Sequence, residues 1–178
     1  MAKPTLLLMS GSLRAASYNK MLLREAAAAF GEAEVIEADL GLPLYNGDVE
    51  AEGIPAKVTT LMEQVRGADA LLIGAPEYNK GISGVLKNAT DWLSRAKESV
   101  LKDKIAVVMS AAGGRTGGET AHFMTLSNLH QLQVNVVHGP LILVAQAQKE
   151  FDEDGRLTND FLKRQIADRM ARLRGMLG

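Results

Sequence analysis

The sequence predicts an α/β fold, a doubly wound three-layer sandwich with a five-stranded parallel sheet in the order 2-1-3-4-5. Three observations predict it. The apolar runs at 5–9, 70–74 and 105–109 are continuous, not alternating, as in strands buried on both faces. Stretches with helical spacing of apolar residues lie between them, so strand and helix alternate along the chain, which means parallel strands joined by right-handed crossovers. Each of the three runs ends in a polar or glycine-bearing loop. The order chosen is the one that gathers those loops at the switch point between strands one and three, where open α/β sheets bind ligands.

The elements follow in order. Thr5-Leu6-Leu7-Leu8-Met9 is a central strand ending in Ser10-Gly11-Ser12. Ser17 caps a helix whose apolar face is Leu22, Leu23, Ala26, Ala27 and Phe30, and Gly31 ends it. An outer strand at 33–38 carries Val35 and Ile36 between glutamates. The stretch 39–53 mixes Gly, Pro and Asn with Leu40, Leu42, Leu44 and Tyr45, and reads as an ordered loop. Pro55 suits a first helical turn, with Val58, Leu61, Met62 and Val65 on the buried face and Gly67 closing. The strand Ala70–Gly74 breaks at Pro76 into a polar loop, with Gly81 and Gly84 to relax the backbone. A helix capped by Ser83 then buries Val85, Leu86, Ala89 and Leu93. After the strand at 105–109 come a glycine-rich loop to Gly118, a helix over 119–131 and a strand at 134–137. The segment 140–144 continues the edge beyond a bend at Gly139. Residues 151–157 form a turn, and Thr158 caps a last amphipathic helix with Leu162, Ile166, Met170, Leu173 and Leu177 on one face.

A chain of 178 residues suits one domain over 1–178, large enough to cover both faces of a sheet. A net charge of −1 gives no electrostatic reason to expect nucleic acid or an acidic membrane as partner. The lack of cysteine excludes disulfides, thiol catalysis and cysteine metal sites. Met1-Ala2-Lys3-Pro4-Thr5 leads into an apolar run too short for a signal segment or a membrane helix, so the expected location is the cytoplasm.

The three loops carry the chemistry. Ser10 to Asn19 lies between a buried strand and a helix start, where free backbone N–H groups and the helix dipole favour an anion. Ser12, Ser17 and Asn19 add neutral donors, and Arg14 adds a fork-shaped cation suited to a phosphate monoester. The loop is neither a P-loop nor a dinucleotide fingerprint; its plain alternative is a capped helix with an exposed arginine. Glu77, Tyr78 and Asn79 offer a carboxylate, an aromatic plate and an amide, which suit a flat, hydrogen-bonding heterocycle, although such a triplet is also a common polar turn. Ser110 to Gly118 has the composition of backbone placed close to something, or of a mobile surface loop. His122, His130 and His138 have no metal-ligand spacing and read as surface or capping residues, and Asp152-x-Asp154-Gly155 lacks the register of a calcium loop. Trp92 reads as core or subunit interface, and Asp91 with Arg95 as an ordinary helix pair.

Pro76-Glu77-Tyr78-Asn79 followed by Leu86-Lys87-Asn88-Ala89-x-Asp91-Trp92 resembles the flavin-ring loop of the NAD(P)H-dependent FMN reductases, a flavodoxin-like family that includes quinone, azo-dye and chromate reductases. Gly11-Ser12-Leu13-Arg14-x-x-Ser17-x-Asn19 resembles that family's phosphate loop, at the family's spacing. One departure is Ser83-Gly84 where the family has Pro-Gly, which leaves the loop freer to flex. The resemblance implies FMN as cofactor and NAD(P)H as co-substrate. It implies that FMN is held by Ser10, Ser12, Leu13, Arg14, Ser17, Tyr18 and Asn19, by Pro76, Glu77, Tyr78 and Asn79, and by Ser110, Ala111, Ala112, Gly113 and Gly114. It further implies a small-molecule electron acceptor, no metal, and a homodimer or dimer of dimers. No catalytic side chain is required, because flavin N5 accepts the hydride. Arg115 stands where a small or apolar residue is expected; it serves the phosphate of an incoming nicotinamide nucleotide or faces solvent. With Tyr78 the only aromatic expected at the ring, one broad face stays open, so donor and acceptor are expected to take turns there. The rival reading is a non-enzymatic flavodoxin-type electron carrier. Such carriers tend to be strongly acidic and to shield the ring with aromatics, and this chain does neither.

Overall fold

The computed structural model describes residues 3–178; Met1 and Ala2, part of the amino-terminal reading above, lie outside the described residues. The strands are β1 (Thr5–Ser10), β2 (Glu34–Glu37), β3 (Ala70–Gly74), β4 (Glu77–Tyr78), β5 (Gly81–Ile82), β6 (Ile105–Ala111), β7 (Asn135–Val136) and β8 (Leu143–Val144). The helices are α1 (Tyr18–Phe30), α2 (Gly47–Glu52), α3 (Ala56–Gly67), α4 (Gly84–Leu93), α5 (Glu119–Gln131) and α6 (Asp160–Leu177). The main sheet is parallel in the order β2-β1-β3-β6-β7, which is the predicted order once the β4–β5 hairpin is set aside. Its last position is shared: β7 pairs with the start of β6 and β8 with its end, so the edge does continue past the bend at Gly139.

Alternation along each strand explains the continuous apolar runs. Leu6, Leu8, Leu72 and Val107 pack under α1 and α6, whereas Leu7, Met9, Leu71, Ile73 and Val108 pack under α3 and α4. Both faces are covered, so every position must be apolar; fully burying one such leucine contributes about 1.5–3 kcal/mol. The predicted apolar faces of α1 and α3 are the ones buried, and on α6 Leu162, Ile166, Met170 and Leu173 are buried. The carboxyl ends of β1, β3 and β6 stand side by side, which brings their three loops together.

Several local expectations are corrected. The stretch 39–53 contains a short helix, α2, whose Asn46 cap accepts from the Asp48 N–H at 2.9 Å. Pro55 is the cap of α3 and Ala56 its first residue. Asn159, not Thr158, caps α6, accepting from Phe161 and Leu162, while the Thr158 N–H and hydroxyl both donate to the Glu150 carbonyl. Asp91 pairs with Lys87 and Arg95 with Glu50 across to α2, so Asp91 and Arg95 are not partners. Trp92 is wholly buried: its Nε1 donates to the Pro43 carbonyl at 2.8 Å and Tyr45 meets it edge-on, which removes it from any subunit interface. His122 is buried, unlike His130 and His138. Val85, expected in the core, is only partly buried, whereas Trp92 is wholly buried.

Candidate active site

The loop after β1 is drawn tight by main-chain contact. Gly11 N–H donates to the Gly74 carbonyl at 2.9 Å, and a Cβ on Gly11 would stand 2.7 Å from Ser83 Oγ and 2.8 Å from Pro76 Cδ. Only a glycine lets the first and second loops touch there. Ser10, Ser12 and Ser17 are buried, with Ser10 Oγ and the Ser12 backbone closing a small turn. Ser17 stands at the cap position of α1, yet its side chain makes no capping bond, and no acidic side chain stands in the first turn. The first intrahelical bond is Met21 N–H to the Ser17 carbonyl, which leaves the preceding N–H groups of the helix start for an anion. Arg14 is exposed beside them, one nitrogen donating to the Ala16 carbonyl at 3.0 Å, and Leu13 is 54% exposed. Tyr18 stacks on Phe151 with ring centroids 5.8 Å apart.

The second loop is a hairpin. Glu77 pairs with Ile82 and Tyr78 with Gly81, and the turn residues Asn79 and Lys80 carry the left-handed backbone, with φ of 51° and 60°. This is the conformation that two-residue hairpin turns demand, and it falls on Asn79 and Lys80 rather than on Gly81 or Gly84. Ser83 is buried and its Oγ accepts from Leu86 N–H at 3.1 Å, so the departure from Pro-Gly supplies a helix cap rather than slack. Tyr78 is 53% exposed at the hairpin tip. The Glu77 carboxylate turns the other way: it accepts from Ala121 N–H at 3.2 Å and meets Lys80 Nζ at 3.2 Å. Gly118, which has no side chain to cap α5, is thereby served from a neighbouring loop. Burial pushes the Glu77 carboxyl up, but the bonds from Ala121, Lys80 and Thr120 outweigh it and hold the group below the ordinary carboxylate range.

The third loop is tied down on one side. Ala112 N–H donates to Val144, Ala147 N–H to Ala112 and Gln146 N–H to Gly114. Ser110 is wholly buried, its Oγ donating to the Ala75 carbonyl at 2.6 Å. Gly118 has φ of 88°, and a Cβ there would fall 2.1 Å from Ser110 Oγ, so this turn requires glycine. Asn19 joins the first loop to the third: its Nδ2 donates to the Ala111 carbonyl at 2.8 Å and its Oδ1 accepts from Ala111 N–H at 3.1 Å.

The structure thus brings the predicted residues together but divides their work. Asn19, Ser110 and the carboxylate of Glu77 fasten loops to one another. Leu13, Arg14, Tyr78, Gly113 and Gly114 are the exposed part of these loops, their rim, and Ala112 is half-buried. A Cβ on Gly114 would meet nothing within 4 Å, and one on Gly113 only Gln148 Oε1 at 3.6 Å, so open space lies over this backbone. An anion-ready helix start, an exposed aromatic and a bare stretch of backbone are the groups that FMN, with a phosphate and a flat ring, calls for. A cleft of about 410 Å³ opens on the other flank of the first loop, between Ser12, Leu13 and Lys20 and the residues from Glu37, the end of β2, to Gly41. It shares residues with the phosphate end and does not reach the second or third loop. Sequence reasoning missed the Glu77 cap of α5 and the proximity of Gln148; a glycine at the cap position of α5 was the one available signal for the first. Among the described residues no cluster of metal-ligating side chains occurs, and no helix is long and apolar enough to cross a membrane.

Comparison with known proteins agrees with this geometry. Residues 4–149 match the family model described as NADPH-dependent FMN reductase. An NAD(P)H-dependent FMN reductase of Pseudomonas aeruginosa is 42% identical, over 92% of this chain and 90% of its own length. A quinone reductase of Escherichia coli K12 is 36% identical, over 80% of this chain and 78% of its own. The solved structure of FerB, a flavoenzyme NAD(P)H:(acceptor) oxidoreductase of Paracoccus denitrificans, superposes with a TM-score of 0.85 at 28% identity and covers 97% of each chain. With the sequence match spanning all three loops, this flavodoxin-like chain belongs to the NADPH-dependent FMN reductase family, enzymes that work with FMN and a nicotinamide nucleotide.

Proposed function

We propose that the chain moves electrons from NAD(P)H to a small oxidant, with quinones as the main acceptor class and free flavin, azo compounds and oxidised metal species such as chromate as further ones, in a ping-pong sequence. When bound, FMN supplies the hydride- and electron-transfer chemistry. The chain's own residues do the rest. The N–H groups at the start of α1, with Ser12, Ser17 and Arg14, hold the phosphate. The backbone of 112–114 and Asn79 meets the ring, and Tyr78 flanks it. No side chain of the site is placed as a general acid or base, since the Glu77 carboxylate is engaged with α5.

The observation that carries this reading is the one-sided shape of the site. The third loop is bonded to 144–147 beneath and bare above, and Tyr78 is the exposed aromatic at its rim. One face is therefore left for both substrates. A nicotinamide must stack there to bring its hydride within about 3–3.5 Å of the acceptor atom, and a quinone needs the same place. Double-reciprocal plots for NAD(P)H at several quinone concentrations should be parallel, and high quinone should inhibit competitively against NAD(P)H. Intersecting lines would sink the shared-face reading.

Two finer parts belong to the same proposal. Arg115, exposed at the tip of the third loop and without a carboxylate partner among the described residues, reaches the phosphate of the incoming nucleotide. Tyr78, Phe123 and Met124 are each roughly half exposed, and Met124 Sδ lies 4.0 Å from where a Cβ on Gly81 would stand. This apolar surface beside the site is covered by a second copy, in a homodimer or dimer of dimers. Leu44, 81% exposed in the loop before α2, is a further apolar residue for the same partner to cover, whereas Tyr45 is engaged with Trp92 and Glu50.

A further inference from the structure

A second cavity, of about 760 Å³, opens at the far edge of the sheet, between α5, the β7 edge and α6, and shares no lining residue with the flavin site. Its deeper walls are apolar (Val108, Leu126, Val134, Val137 and Leu141), and the exposed Asp103, His130, Asn135 and His138 complete the lining. Two polar side chains buried beyond nine-tenths stand among them, Arg169 at 6% and His122 at 3% exposure.

Arg169 is a cation in an apolar place, and among the described residues no carboxylate pairs with it. Two of its N–H groups donate to the carbonyls of Val137 at 3.0 Å and Pro140 at 2.6 Å, and its guanidinium lies against Gly139, where an added Cβ would come within 2.6 Å of Nη2. Neutral carbonyls satisfy part of the fork and none of the charge, and an uncompensated buried charge is costly. His122 lines the same cavity. Its Nδ1 has no hydrogen-bond partner, so no protein group fixes its tautomer and the ring can offer an N–H from its other nitrogen. Burial, reinforced by the nearby Arg169 charge, brings its pKa down to about 4, so near neutral pH it is an uncharged donor rather than a second cation.

We infer that this cavity is a second binding site, which takes a small monocarboxylate with an apolar body. The planar fork of Arg169 matches a carboxylate. His122 supplies one further donor, and the walls from Val108 to Leu141 take the body. A phosphate fits less well, because the apolar walls beside Arg169 would desolvate its remaining charge. None of the residues that line it belongs to the three flavin loops, so it does not serve the reacting atoms.

The test uses FMN-loaded enzyme and two probes of equal chain length, octanoate and octan-1-ol, in calorimetric titration. Octanoate should bind, and octan-1-ol at least about 10-fold more weakly, the lower end expected for losing a charge-assisted hydrogen bond. Arg169→Met should weaken octanoate by about 10–100-fold on the same ground while leaving quinone reduction unchanged. Leu141→Trp, a substitution at the half-buried wall, should block both probes and serves if the arginine variant fails to fold. Equal affinity for the two probes, or octanoate binding that survives either substitution, overturns the inference. So does octanoate binding that quinone displaces, which would place it at the flavin site.

Discussion

Asn19 gives the sharpest separation between holding the site together and touching its ligand. Its amide makes two buried hydrogen bonds, both to Ala111, and so links the first loop to the third. Asn19→Ala removes both partners at once and leaves an Ala111 N–H and C=O buried at the end of β6. An unsatisfied buried group costs about 1–3 kcal/mol, so the pair amounts to roughly 2–6 kcal/mol. Against a typical stability of about 5–15 kcal/mol that is a large share, and for a chain of this size it lowers Tm on the order of 5–20 °C. The loss should appear in the apoprotein, before any FMN is added, as a lower urea midpoint with an unchanged m-value. FMN affinity should then fall as well, because the two loops no longer hold their spacing. An Asn19→Ala apoprotein as stable as the parent, with FMN binding alone impaired, would make Asn19 a ligand contact and not a fastener between loops.

The remaining predictions concern charge and assembly. Arg14→Ala should weaken FMN about 10–100-fold more than riboflavin if Arg14 meets the phosphate, and Arg115→Ala should raise the KM for NAD(P)H; equal losses for both flavins, or an unmoved KM, would make these arginines structural. The Glu77 carboxyl is held below its unfolded pKa, so its contribution is present above that unfolded value and is lost as pH falls through the folded one. Glu77→Gln should therefore flatten the acid limb of a stability–pH profile, and matching limbs would show that the carboxylate does not titrate with folding. Sedimentation of FMN-loaded enzyme should give a dimer or tetramer that Phe123→Glu dissociates; an active monomer at micromolar concentration contradicts the proposed interface.

What could be read from the sequence follows from physics that is local. β1, β3 and β6 are buried on both faces, so their residues must be apolar without alternation, and their loops announce themselves by polarity and glycine. The order of the sheet follows from asking which arrangement puts those loops together. The hairpin turn was hidden because its left-handed residues include Lys80, which has no special tolerance for that backbone and is held there by strand pairing. α2 carries no buried residue, so it has no apolar face to betray it. Thr158 and Asn159 are both cap-forming by type, and the bond from Thr158 back to Glu150 leaves the cap to Asn159. Trp92 could have faced a partner or the core; the Pro43 carbonyl that receives its N–H is 49 residues away in sequence and becomes its neighbour only in the fold. The division of site residues into fasteners and rim has the same origin, since Asn19 and Ala111 lie 92 residues apart.

We propose that the three loops hold FMN with one face open to a nicotinamide nucleotide and then to a small oxidant. The direct measurement is the visible absorption spectrum of the FMN-loaded protein, followed anaerobically. Flavin absorption should bleach on addition of NAD(P)H at one equivalent per bound FMN and return when a quinone is added. Bound flavin that NAD(P)H leaves unbleached, or no flavin retained after FMN is supplied, would contradict it.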